Sequence, residues 1–120
     1  MSNNILKGKK GIIFGALDHK SIAWKVAEFA YNDGASFVLS NAPIALRMGT
    51  IHELAEKTNS TIVQADATST DDLKKLFKTA IEELGGKIDF ILHSIGMSIN
   101  VRKGNPYYNQ NYDYTIKGYD

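Results

Sequence analysis

"GIIFGALDHKSIAWK", residues Gly11–Lys25, runs a short apolar stretch into a glycine and then into a helical pattern. Gly11–Phe14 reads as a buried strand. Ile22, Val26, Phe29 and Ala30 recur on one face of a helix that opens at Ser21 and can stop at Gly34 in a left-handed cap. A strand that passes through a glycine into a helix N-terminus is the opening β-α unit of a nucleotide-binding sheet, because the backbone can approach a diphosphate there and the helix offers free N–H groups. The loop lacks the glycine-rich G-x-G-x-x-G spacing, however. A plain turn capped by Ser21 fits the segment equally well when it is read alone.

Outward from this stretch the pattern repeats. Phe37–Leu39, Thr61–Val63 and Ile88–Leu92 are further short runs rich in branched and aromatic residues, as in parallel strands buried on both faces. Ile51, Leu54 and Ala55 mark a second helix that starts after Pro43. Leu73, Leu76, Phe77, Ala80, Ile81 and Leu84 mark a third, with Ser69 or Thr70 as N-cap and Gly85–Gly86 at its end. The order β-α-β-α-β-α-β predicts an α/β fold, a Rossmann-like doubly wound parallel sheet with strand order 3-2-1-4.

Bulk composition narrows the function classes. With 120 residues, one domain is expected over 1–120. A net charge of +1 gives no electrostatic reason for a nucleic-acid or anionic-membrane partner. Cysteine is absent, which excludes disulfides and thiolate metal sites, and no apolar run has the length of a signal peptide core or a membrane span. A cytoplasmic location is expected. His19 and His52 have no partner at ligand spacing, so no metal site is expected, and His93, at the end of an apolar strand, reads as structural. Lys7, Lys9 and Lys10 read as a solvated strand entrance, and Met97 fits packing as well as a ligand contact. From Asn100 the chain turns polar and Tyr-rich, a loop leading towards a helix near Tyr112. A fourth strand at the sheet edge, together with this tail, suggests the first part of a longer chain.

In such a sheet, ligands sit beyond the carboxyl ends of the strands. Gly15-Ala16, Asn41-Ala42-Pro43, Asp66-Ala67 and Ser94-Ile95-Gly96 all fall there. Asp66 can accept a hydrogen bond from an adenine amino group, although a turn-forming aspartate before a helix explains it more simply in isolation. Gly96 can pass close to a ribose or merely form a turn.

The stretches GALDHKSIAWKVA, DAT and LHSIGMS resemble the bacterial enoyl-acyl-carrier-protein reductases, a divergent branch of the short-chain dehydrogenase/reductase superfamily. The resemblance runs through the final NYDYTIKGYD, and Ser21-Ile22-Ala23 stands where relatives carry glycines. It implies reduction of the trans-2 double bond of an enoyl thioester on acyl carrier protein, with hydride from NADH passing to C3 and a tyrosine hydroxyl stabilising the enolate. It also implies that Gly15, Ala16, Ser21 and Ile22 line the pyrophosphate and nicotinamide, that Asp66 and Ala67 hold the adenine, and that Ser94, Ile95 and Gly96 pass under the adenosine ribose and diphosphate. A homotetramer is implied as well.

Ala42 follows a strand end, Ser40-Asn41, that has neither the acid usual for NAD nor the base usual for NADP. A 2′-phosphate would lack a charge partner, so NADH is expected over NADPH, with Arg47 as the one nearby cation. The family's Tyr-x6-Lys pair is missing: seven and four positions before Lys117 stand Gln110 and Asp113. Tyr107, Tyr108, Tyr112, Tyr114 and Tyr119 therefore read as loop packing, and the catalytic pair is expected beyond Asp120, leaving the 120-residue chain inactive by itself. The alternatives are a non-catalytic dinucleotide-binding module and another reductase of the superfamily. A Tyr-x3-Lys or no pair at all in the following residues would mark them.

Overall fold

Apolar runs with both faces covered demand a sheet clad on two sides, and that is what forms. The computed structural model describes residues 5–95. Strands β1 (Lys10–Phe14), β2 (Ser36–Asn41), β3 (Thr61–Gln64) and β4 (Phe90–His93) make one parallel sheet in the order β3-β2-β1-β4. Helices α1 (Ile22–Asn32), α2 (Pro43–Met48), α3 (Ile51–Lys57) and α4 (Thr70–Leu84) connect the strands. The expected strand order is thus observed.

Residue alternation sorts the core into two layers. Ile13, Phe37 and Leu39 pack with Ala23, Trp24, Ala27 and Ala30 of α1 and with Ile51 and Leu54 of α3. Ile12, Phe14 and Val38 face Leu76, Ala80 and Leu84 of α4. Each fully buried branched side chain contributes roughly 1.5–3 kcal/mol, so the two central strands dominate the stability. Helix α4 follows its sequence signals: the Ser69 hydroxyl accepts from the Asp72 N–H at the start, and Gly85 closes it in the left-handed region at φ 84.

Four local expectations need correction. Ile22 and Phe29 do not face the core but are 73% and 75% exposed. Helix α1 is rotated so that Ala23, Ala27 and Ala30 seat it close against the sheet, with Trp24 filling the remaining space. Glu28 on its other flank pairs with Lys57 of α3 at 3.1 Å. The single second helix is two helices. Thr50 N donates to the Leu17 carbonyl at 2.8 Å, and a side chain at Gly49 would overlap that same carbonyl, so the chain is broken where it meets the first loop. The fourth strand begins at Phe90 rather than Ile88. Asp89 instead brackets Lys10, its carboxylate accepting from Lys10 N at 2.8 Å and its own N–H donating to the Lys10 carbonyl. The Lys10 backbone N–H, first among the causes, holds the Asp89 carboxyl below the usual carboxylate range. His93 is exposed at the end of β4, so it does not serve as a packed structural residue. Lys7 and Lys9 are exposed, as a solvated strand entrance requires.

Candidate functional site at the carboxyl ends of the strands

Parallel strands bring all their carboxyl ends to one rim, and the order reverses between β1 and β4. Gly15 stands at that reversal. Its φ is 102, and a Cβ there would run into the Ser94 main chain, with Ile95 Cγ2 at 3.1 Å. The glycine is therefore required by the approach of the β4 end to the β1 end, whatever else approaches it. Gly15 N donates to the Ser40 carbonyl at 3.0 Å, tying the same residue to β2.

The loop after Gly15 is held by short-range hydrogen bonds. The Asp18 carboxylate accepts from Lys20 N at 2.9 Å, and the Asp18 carbonyl accepts from both the N–H and the hydroxyl of Ser21. The Ser21 hydroxyl oxygen in turn accepts from Leu17 N at 3.2 Å and Trp24 N at 3.4 Å. Ser21 is thus both N-cap and loop clasp. The first turn of α1 carries no acidic residue, whereas that of α4 carries Asp71 and Asp72. Of these two long helices, α1 is the one whose first turn adds no acid against an anion at its N-terminus.

Asn41 organises the rim, a role its sequence context did not reveal. Its carboxamide is buried; Nδ2 donates to the Ala16 carbonyl at 2.9 Å and Oδ1 accepts from Ala42 N at 2.8 Å. Its backbone carbonyl accepts from Ala65 N at 3.1 Å. One residue thereby joins the ends of β1, β2 and β3. Ala16 itself is buried in the core, so only its main chain lies at the rim. Ala42 caps α2, and the exposed Arg47 stands in the last turn of that helix.

Asp66 is exposed and forms a local turn in which Oδ1 accepts from the Thr68 hydroxyl at 2.7 Å and from Thr68 N at 2.9 Å. The Thr68 hydroxyl first, then its N–H, holds this carboxyl below the usual carboxylate range. Its own N–H donates to Asp72 at 3.0 Å, which docks the turn on α4. The structure thus brings Gly15, Ala16, Ser21, Ile22, Ala42, Asp66, Ala67, Ser94 and Ile95 to one end of the sheet. Gly96, Met97 and the five tail tyrosines lie outside the described residues.

Two surface hollows lie elsewhere. One is lined by His52, Glu53, Glu56, Asn59, Ser60 and Thr61, the other by residues that include Tyr31, Ser36, Thr61 and Glu83. The first runs along α3 to the start of β3, and the second adjoins the starts of β2 and β3. Among the described residues no cluster of His, Cys, Asp or Glu could hold a metal ion, and no helix is long and apolar enough to cross a membrane.

Backbone N–H groups at a helix whose first turn carries no acid, beside a glycine at the strand reversal, are the groups that can hold a diphosphate. The chain is 32% identical over 98 residues to the enoyl-(acyl-carrier-protein) reductase (NADH) 1 of Rhizobium meliloti (strain 1021), covering 81% of this chain and 35% of that protein. The crystal structure of the FabI–NADH complex from Alistipes finegoldii superposes with a TM-score of 0.90 at 59% identity, over 96% of this chain and 41% of that one. The Bacillus cereus enoyl-acyl carrier protein reductase, solved with NADP+ and an indole naphthyridinone, superposes with a TM-score of 0.80 at 25% identity, over 98% of this chain and 46% of that one. The chain therefore spans less than half the length of these relatives. Residues 15–117 match the family pattern described as enoyl-(acyl carrier protein) reductase, and the chain belongs to that family.

Proposed function

We propose that this chain forms the cofactor-binding part of an NADH-dependent enoyl-acyl-carrier-protein reductase. The observation that carries the reading is the acid-free start of α1, locked by Ser21 beside the β1–β4 reversal, in a chain 59% identical to a FabI solved with NADH. In this reading the bound nicotinamide supplies hydride to the trans-2 double bond of an enoyl thioester. The residues of this chain bind and orient the dinucleotide. Gly15, Ala16, Ser21 and Ile22 face the pyrophosphate and nicotinamide, and Ala42 lies by the adenosine ribose. Asp66 and Ala67 meet the adenine, and Ser94, Ile95 and Gly96 run beneath the ribose and diphosphate.

NADH rather than NADPH is supported by the end of β2. Asn41 turns inward, Ala42 is apolar, and the first cation that follows along the chain is Arg47 on α2. The catalytic tyrosine and lysine belong beyond Asp120. Residues 1–120 alone therefore do not turn over, since loss of a single oxyanion donor already costs roughly 10²–10³ in rate. A cytoplasmic homotetramer, acting on acyl carrier protein thioesters, completes the proposal.

The test is the oxidation of NADH and of NADPH by the full-length protein with a crotonyl thioester of acyl carrier protein. Turnover that favours NADH supports the reading. A large preference for NADPH contradicts the cofactor assignment and points to Arg47. Binding without turnover indicates a dinucleotide-binding module instead.

A further inference from the structure

We infer that Asn41 is a positioning residue that sets the geometry of the dinucleotide loop, an assignment that rests on the cofactor reading above. At the end of β2, where dinucleotide folds commonly aim a side chain outward at a ribose, this chain folds the carboxamide back into the protein, where the residue is 8% exposed. Only one orientation of the amide satisfies both neighbours, because the Ala16 carbonyl needs a donor and Ala42 N–H needs an acceptor.

That orientation has consequences further along the chain. A trans peptide is planar, so fixing the Ala16 carbonyl also fixes the direction of the Leu17 N–H. Leu17 N donates to the Ser21 hydroxyl, which accepts from Trp24 N as well. The plane of the Ala16–Leu17 peptide is thereby coupled to the first turn of α1, where the N–H groups of a helix lack intrahelical partners and can meet a diphosphate. The Asn41 carbonyl, accepting from Ala65 N, anchors the same residue to the β3 end that leads to Asp66. Asn41 therefore acts on the cofactor through the loop rather than by touching it.

Without this clamp the loop samples other peptide orientations, and binding must draw on the fraction still in the competent one. The apparent dissociation constant rises by the inverse of that fraction. Asn41→Ala removes both hydrogen bonds. Asn41→Asp keeps the shape but sets a carboxylate oxygen against the Ala16 carbonyl, so it opens the loop at least as far.

The experiment measures NADH dissociation constants of the full-length protein by fluorescence titration, for wild type, Asn41→Ala and Asn41→Asp. It also measures amide hydrogen exchange of each without ligand. The expected result is NADH affinity weaker by about tenfold in both variants. The Michaelis constant for the enoyl thioester should stay within about twofold, and exchange should be faster at Ala16–Ser21 and Ala42 while α4 keeps its protection. Unchanged NADH affinity in both variants, or exchange that rises uniformly across both core layers, overturns the inference. Should a variant prove too unstable to titrate, its exchange pattern still decides between a local clamp and a global loss of fold. Failure of the wild-type protein to bind NADH would instead overturn the cofactor reading, leaving the exchange result to judge the clamp.

Discussion

The two sides of β1 are built differently. Towards β2, every strand end is tied down: Gly15 to Ser40, Ala16 to Asn41, Leu17 to Thr50, and Asn41 to Ala65. Helices cover both faces of β2, and five of its six residues are buried. Towards β4, the amino ends are latched through Asp89 and Lys10, but apolar surface stays open on the strand, where Ile91 is 50% exposed. The closed side can hold a ligand loop in one conformation. The open side offers apolar area of the kind that other segments of a protein cover. A loop held in one conformation beforehand avoids the cost of ordering at the moment of binding.

Gly15 sits on the boundary and gives the largest expected effect. Gly15→Val combines a strained positive φ, about 1–3 kcal/mol, with main-chain overlap at Ser94 in a packed site, about 1–3 kcal/mol more. Urea unfolding should show that loss, and a fully stable variant with merely weaker cofactor binding would mean the β1–β4 approach is looser than described.

A paired substitution then compares covered and open surface. Leu76→Ala, at a side chain with no exposure in the α4 layer, should cost about 2–5 kcal/mol. Phe29→Ser, at an exposed position, should change the stability of this chain by less than about 0.5 kcal/mol. Equal costs in urea unfolding would erase the contrast.

Much of this was readable in the residues, and the exceptions share a cause. Strand order, the Ser69 cap and the Gly85 stop follow from local chemistry, and they appear as expected. Periodicity mislocates the facing of α1 because a stripe of large apolar residues outweighs three alanines in it. Close helix-to-sheet packing selects the alanines. The break at Gly49 and the inward turn of Asn41 depend on the carbonyls of Leu17 and Ala16, residues far away in sequence, so neither has a local signature. Gly15 is legible as a necessary glycine, and the approach of the Ser94 main chain is a constraint on it without a local signature. Asp66 shows the turn-forming role that its sequence context favours, and its adenine contact is a proposal built upon that turn.

The smallest expected effect concerns that turn. The Asp66 carboxyl titrates lower in the folded chain than in the unfolded one, so its contribution is fully present above the ordinary carboxylate range and is lost as pH falls through the lower folded value. Thr68→Val removes the hydroxyl donor and should move the Asp66 titration, followed by carboxyl NMR, back upward. An unmoved titration would show that the Thr68 hydroxyl does not hold the carboxylate.

Amide hydrogen exchange of the full-length protein with and without NADH tests the central claim most directly, because it locates the cofactor without presuming turnover. NADH-dependent protection is expected at Gly15–Ile22, at Ala42, at Asp66–Ala67 and at Ser94–Ile95, the four described segments at the carboxyl ends of the strands. Protection absent from these segments, or centred on the hollow lined by His52, Glu56 and Asn59 along α3, would contradict it.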